Sequence, residues 1–330
     1  MRKVAAIITA YNRADFVPKC LASLIESQHD QLQFVIFVMD NGSSDDTADV
    51  AKAAGREVHV IRTEDNRPIA EVINRGLDAA HAAPDIEYIL LMNEDTQFTP
   101  GSVERLLDAC DHHPLSVLTP LQFNYRKPEH LDDNAFKDVI EARELVEDAV
   151  VGRPLREVYP IRTIIGAAMV ARREVWANVG KYDTTFWFYG VDDDFCNRAR
   201  WLGYEILLVP GSHLYHMHGK LQASPKRATW PPLEKWRKEC QCRYLFRIKV
   251  PDTSLPLNYL RTFWFALQTS FACAKLLWPQ GTFYAITIYL DCLMRYGSIN
   301  RIRSQHFDPS RKVTAIPHQE LGVVPSRDQA

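Results

Sequence analysis

The sequence has no uninterrupted apolar run that clearly spans a membrane, no glycine-rich loop after its first apolar segment, and no excess of either charge. Each absence removes a class of function. With 39 Lys and Arg against 41 Asp and Glu the formal net charge is -2, so no global field draws the chain to nucleic acid. The seven cysteines are scattered, and the close pair Cys240 and Cys242 matches neither a zinc knuckle nor a thioredoxin motif. An odd, scattered set reads as reduced thiols in a cytoplasmic chain. The N-terminal "MRKVAAIITAYNR" is too short in its apolar part for a signal-peptide core and has no cleavage-like site. It reads as a first strand. The "TAYNRADF" that follows lacks the basic, glycine-rich loop that a nucleotidyltransferase needs there.

What is present is ordinary globular composition, 46% hydrophobic and 24% charged. From Lys3 to Asp95 apolar β-rich runs alternate with helical stretches: "KVAAIITAY", "FVPKCLASLIES", "FVIFVMDNGSSDDT", "REVHVIRTEDN", "IAEVINRGLDAAH" and "EYILLMNEDT". Continuous apolar strands alternating with helices predict an α/β fold with a mostly parallel sheet covered on both faces. Ligands bind such sheets outside the carboxyl ends of the strands. Thr9 to Asn12, Asp40 to Ser44, and Asn93 to Asp95 all fall at those ends. Taken singly, Asp40 or Ser43 serves equally well as a helix cap.

The strand "YILLMN" ends abruptly in Glu94 and Asp95. Carboxylates at the mouth of a buried strand need an Arg, a helix N-terminus or a divalent cation beside them. Such a site suits Mg²⁺ or Mn²⁺, which prefer oxygen ligands; Asp95 or Thr96 would also cap the helix that starts near "TPGSVERLL". A second cluster, "WFYGVDDDFCNRARWLGY", carries three consecutive acids, Asp192, Asp193 and Asp194, at a predicted helix start stopped by Gly203. Acids there favour the helix dipole. One of them can be fixed by the helix while another faces a pocket, its pKa raised by an aromatic wall as a general base requires. Third, "HLYHMHGK" puts His216 and His218 on one side of an extended segment, where either suits a metal shell. No cysteine stands beside them, which argues against structural zinc.

The segment from Arg126 to Pro160 is polar and acid-rich and reads as an insertion or flap. The C-terminal "YLRTFWFALQTSFACAKLLW" approaches bilayer length, but Arg261, Gln268 and Lys275 recur every seventh residue. A polar stripe opposed by Phe263, Trp264, Phe265, Phe271 and Trp278 describes an amphipathic helix, lying in a membrane interface or packed on the protein. Residues 1–225 are expected to form the catalytic domain, 226–303 a helical region facing membrane or another subunit, and 304–330 a flexible tail.

Six pieces in order resemble the family 2 glycosyltransferases of the GT-A fold, in particular bacterial rhamnosyltransferase-like and galactofuranosyltransferase-like members. They are "IITAYNRADFVPKCLASL", "VMDNGSSDDT", "EDNRPIAEVINRGL", "YILLMNEDTQFTP", "IIGAAMVARREVWANVGKYDTTFWFYGVDDDFCNRARWLGY" and "HMHG", covering roughly residues 3 to 220. The resemblance implies a Rossmann-like sheet with a helical C-terminal extension. It implies a nucleotide pocket lined by Thr9, Tyr11, Asn12, Asp40, Asn41, Asn66, Asn74 and Asn93, with Asp40 on the base. Asp95 would hold a Mn²⁺ or Mg²⁺ ion bridging the diphosphate, with His216 first and His218 second as the histidine ligand. Asp192 would be the catalytic base, and Trp187, Tyr189, Asp193 and Asp194 would face the acceptor. Two departures stand out: Pro68 where the family has glycine, and Val191 where it has the first acid of a Glu-Asp pair.

The implied reaction is inverting transfer from dTDP-rhamnose, UDP-galactofuranose or a UDP-hexose to a surface polysaccharide or lipid-linked glycan. The expected place is the cytoplasm, peripheral to the inner face of the cytoplasmic membrane, with a homo-oligomer through the apolar C-terminal region as a further expectation. Val191 keeps a non-catalytic sugar-nucleotide or glycan-binding protein open as the alternative.

Overall fold

Strands buried on both faces need a layer on each side, and that requirement organises the chain. The computed structural model describes residues 1–133, 135–186, 190–217, 232–275 and 279–313. The first half runs β1 (Arg2–Ala10), α1 (Val17–Ile25), β2 (Leu32–Asp40), α2 (Thr47–Lys52), β3 (Val58–Arg62), α3 (Ile69–Ala82), β4 (Tyr88–Asn93), β5 (Thr96–Phe98) and α4 (Ser102–His112). Next come β6 (Ser116–Asn124), β7 (Lys127–Leu131), α5 (Phe136–Glu141), α6 (Arg143–Val150), β8 (Tyr159–Pro160), β9 (Ala168–Arg172), α7 (Arg173–Val179), α8 (Val191–Leu202) and β10 (Glu205–His216). Four helices follow: α9 (Pro232–Lys249), α10 (Leu255–Lys275), α11 (Pro279–Met294) and α12 (Tyr296–His306).

The strands form one sheet in the order β3-β2-β1-β4-β9-β6-β10-β5, with β7 on β6 and β8 on β10. β3, β2, β1 and β4 are parallel, as the alternation predicts. The second half is mixed, because β9 runs antiparallel to both β4 and β6 while β10 is parallel to β6. Side chains alternate across β1: Val4, Ala6 and Ile8 pack with α1 and α4, while Ala5 and Ile7 pack with α3, α7 and α8.

Three expectations change here. The helical region shares its core with the α/β part, since Tyr244, Leu245, Ile248, Tyr259 and Ile288 belong to the same buried cluster as Ile7, Trp176 and Phe195. The tail does not begin at residue 304: α12 reaches His306, Asn178 Nδ2 donates to the Arg311 carbonyl at 2.9 Å, and the Val313 amide donates to the Leu202 carbonyl at 2.8 Å. The 126–160 segment is tied down, because Asp132 and Tyr159 are fully buried and the Tyr159 hydroxyl donates to Asp148 at 2.8 Å.

On α10, the polar residues Arg261, Gln268 and Lys275 do not stand opposite all the aromatics. Phe263 and Phe265 are half-buried against the core, whereas Trp264 and Phe271 are exposed on the same side as the cations. Trp278 lies outside the described residues.

Candidate active site

Strand register builds the rim. Ala10 pairs with Asp40, and Thr9 pairs with both Met39 and Asn93, so the ends of β2, β1 and β4 lie side by side. Loops are laced across that rim. Asn12, held at φ 54°, accepts from the Ser44 amide at 2.8 Å, while its own amide donates to the Ser43 hydroxyl at 2.9 Å. Asn41 Nδ2 donates to Asn66 Oδ1 at 2.8 Å, and Asn41 Oδ1 accepts from the Arg67 amide at 2.8 Å. Asp40 is fully buried, takes the Ser43 amide at 3.0 Å, and pairs with Arg62 Nε at 3.3 Å. Tyr11 stands exposed beside these loops and Thr9 is buried beneath them. Asn74 sits elsewhere: buried in α3, it donates to the Tyr182 carbonyl at 2.9 Å and accepts from the Tyr182 amide at 2.7 Å, clamping the segment before α8.

The acids at the end of β4 have separate partners. Glu94 pairs with the buried Arg13, Nε to Oε1 at 3.1 Å. Asp95 stands 3.4 Å from His216 Nε2, and the antiparallel pairing of His216 with Thr96 sets that approach. On the far side of the ring, His216 Nδ1 lies 3.5 Å from Asp132, which reaches in from the segment after β7. Burial works to lower the His216 pKa, but Asp132 and Asp95 outweigh it and bring it up to about 9. So an Arg compensates one carboxylate and an imidazolium the other. On losing its Nε2 proton, His216 would offer an imidazole donor 3.4 Å from the Asp95 oxygen, and the two together suit one divalent ion. His218 lies outside the described residues.

The three acids of α8 divide as a helix start allows. The helix opens on Gly190 at φ 80°, where a Cβ would run into Cys242 and Phe246 of α9. Asp194 is buried, accepts from Arg198 Nε at 2.8 Å and from Lys249 Nζ at 2.7 Å, and is held well below the usual carboxylate range although burial opposes this. Lys249 also donates to Asp183. Asp183, Asp194 and His306 approach closely enough to hold a metal, but the Lys249 ammonium already sits on both carboxylates. Asp194 therefore serves to dock α9 onto α8 rather than to meet an acceptor as expected.

Asp192, like Asp193, is partly exposed. Burial pushes its carboxyl up, Asp193 adds to the rise, and the pKa reaches about 7. The Tyr182 hydroxyl lies 3.4 Å from Asp192 Oδ1 and works in the opposite sense. Gly166 makes room for this carboxylate, since any Cβ there would strike it. The neighbouring Ala167 carbonyl accepts from the Asn93 amide at 2.9 Å, so one short loop links Asp192 to the acids at the end of β4. Val191, where the resembling family has an acid, is buried among Phe195 and Tyr182. Trp187 and Tyr189 lie outside the described residues.

Residue patterns did not disclose Arg13, Asp132, Tyr182, Gly166 or Lys249. Each reaches its partner only through tertiary contact, and Arg13 alone had a signal, as a cation directly after the first strand end.

The profile described as "Glycosyl transferase family 2" matches residues 5–177, and one described as "N-terminal domain of galactosyltransferase" matches residues 149–220. An N-acetylglucosaminyl-diphospho-decaprenol L-rhamnosyltransferase of Mycobacterium tuberculosis is 25% identical over 237 residues, 64% of this chain and 74% of that protein. The succinoglycan biosynthesis protein ExoU of Rhizobium meliloti is 35% identical over 108 residues, 32% of this chain and 29% of its own length. Among solved structures, GalNAc-T7 with UDP, GalNAc and Mn²⁺ superposes with a TM-score of 0.54 at 14% identity, covering 77% of this chain. TarS of S. aureus does so with 0.53 at 15% identity, covering 78%. The chain spans 52% and 42% of those two chains, and the likeness to them is one of fold.

Proposed function

The chain belongs to glycosyl transferase family 2, and from that premise we propose that it is an inverting, metal-dependent transferase acting on a glycan or lipid-linked glycan acceptor. The observation that carries this reading is Asp192: a partly exposed carboxylate with a pKa near 7, joined through Gly166 and Ala167 to the acidic end of β4. A base poised near the working pH combines the correct protonation state with driving force for proton transfer.

The acceptor hydroxyl attacks the anomeric carbon as the bond from that carbon to the diphosphate oxygen breaks. Its proton passes to an oxygen of Asp192. Attack from the face opposite the leaving group inverts the centre. Asp95 and His216 would hold a Mn²⁺ or Mg²⁺ ion, which supplies Lewis-acid neutralisation of the diphosphate charge when bound. Asn12, Asn41 and Asn66 hold the rim loops in register for the nucleotide. Asp193, partly exposed beside Asp192, would face the acceptor. Fixing donor and acceptor in line provides much of the remaining acceleration.

The name of the M. tuberculosis relative specifies L-rhamnose and a diphospho-lipid acceptor, which makes dTDP-rhamnose the first donor to try, before UDP-galactofuranose and UDP-hexoses. Nucleoside-diphosphate release across these donors, with Mn²⁺, Mg²⁺ or EDTA, tests the proposal. Metal-dependent release from one donor, abolished by Asp95→Ala, is the expected result. Silence across the panel together with no nucleotide binding by calorimetry overturns it.

A further inference from the structure

The four C-terminal helices carry far more charge of one sign than the rest of the chain. Residues 232–313 hold thirteen Lys and Arg against five Asp and Glu, in a protein whose net charge is -2. Within them α10 has no acid at all. Its buried side is set by Asn258, Tyr259, Thr262, Ala266 and Cys273. The opposite side presents Leu257, Leu260, Trp264, Leu267 and Phe271, all exposed, at successive spacings of three and four residues. That spacing draws a single line along the helix. Arg261, Gln268 and Lys275 border the line, and Lys275 Nζ lies 4.7 Å from the Phe271 ring centre.

Next to α10, α11 is tied to it by the Tyr259 hydroxyl donating to the Cys292 carbonyl at 2.9 Å and by Ser270 donating to Thr282 at 3.0 Å. It adds Phe283 and Met294, 63% and 80% exposed. No described helix is long and apolar enough to cross a membrane. An apolar line with a cationic border on a helix packed into the fold suits the plane of an interface instead.

We propose that the outer line of α10, extended by α11, docks on an anionic lipid bilayer. The charge decides between a bilayer and a second copy. Two copies meeting here would set Arg261 and Lys275 against identical cations, with no acid on either α10 to receive them. An anionic leaflet meets the same cations with phosphates. Tryptophan and phenylalanine suit the depth at which an apolar body is buried and a polar border stays wet. The placement also serves the reaction. α9 packs against both α10 and Gly190 at the start of α8, so it joins the docking layer to the helix that carries Asp192. The inference rests on the preceding reading only for its purpose, the presentation of a lipid-linked acceptor; vesicle binding is measured with no sugar donor present.

Flotation of the full chain with vesicles of phosphatidylcholine alone, or with about one third phosphatidylglycerol, tests it. The expected result is binding to the anionic vesicles at least about ten-fold tighter than to the neutral ones. The double variants Trp264→Ser with Phe271→Ser, and Arg261→Glu with Lys275→Glu, should each lose about ten-fold or more in partition, with circular dichroism and melting temperature unchanged. Failure of the wild-type chain to float, or equal binding to both vesicle types, overturns the proposal. So does undiminished binding by folded variants, or a wild-type dimer in sedimentation that the first double variant dissolves. Arg261→Lys with Lys275→Arg keeps the charge and should bind as the wild type.

Discussion

At neutral pH the Asp192 carboxyl is near the midpoint of its titration, which has two consequences of opposite sign. As the proposed base it works only when deprotonated, so kcat/KM should rise with pH along an acid limb near 7. For stability the folded pKa lies above the ordinary value of roughly 3.9. The folded state then binds more protons than the unfolded one between that value and about 7, and stability falls as pH rises through this window. Above pH 7 the penalty is complete. Asp192→Asn should therefore melt higher than the wild type at pH 8, by about 1–2 kcal/mol after allowing for its partial exposure, and equally at pH 4. A melting series at both pH values checks this. His216 offers a second residue-scale test. Asp132 stands behind the imidazole, the place from which a carboxylate orients a metal-binding ring. Asp132→Asn should weaken Mn²⁺ binding, measured by calorimetry, by about ten-fold or more. Asp192, Asp95 and His216 were candidates in the sequence because their motifs are local. Asp132 was not, because the contact joins residues 84 positions apart.

Among the elements, α8 shows how one helix start supports two uses of neighbouring acids. Asp192 keeps a partly exposed position beside Gly166, while Asp194 is drawn under Lys249 and Arg198. The Lys249 ammonium is almost wholly buried between Asp183 and Asp194. Removing it leaves buried carboxylates short of a cation, so Lys249→Met should cost about 3–5 kcal/mol, read from denaturant midpoints. Periodicity revealed the parallel strands and most helices, since alternating runs of apolar residues report burial directly. It did not reveal that β9 runs antiparallel, because strand direction depends on the path of the connection and not on the strand's own residues. The 126–160 segment looked like a flap for a similar reason: its composition is polar, yet Asp132, Asp138 and Asp148 are each buried.

The molecule as a whole is less divisible than its composition suggests. The C-terminal helices were expected to form a region of their own over 226–303, but their inner faces complete the same core that holds α7 and α8. Lys249 and the contacts at Gly190 join that layer to α8. Family, fold and the acidic ends of the strands could all be read from six ordered motifs. The loop lacing, the ion pairs and the shared core arise from contacts between residues distant in the chain, which no local motif announces.

The central claim is that Asp192 performs chemistry and not binding. Its most direct test compares donor affinity with turnover in Asp192→Asn, by calorimetry with the nucleotide sugar and Mn²⁺ and by nucleoside-diphosphate release. The account predicts an unchanged Kd and a turnover lower by about 10²–10⁴-fold. Turnover retained by the variant, or lost together with donor binding, would contradict it.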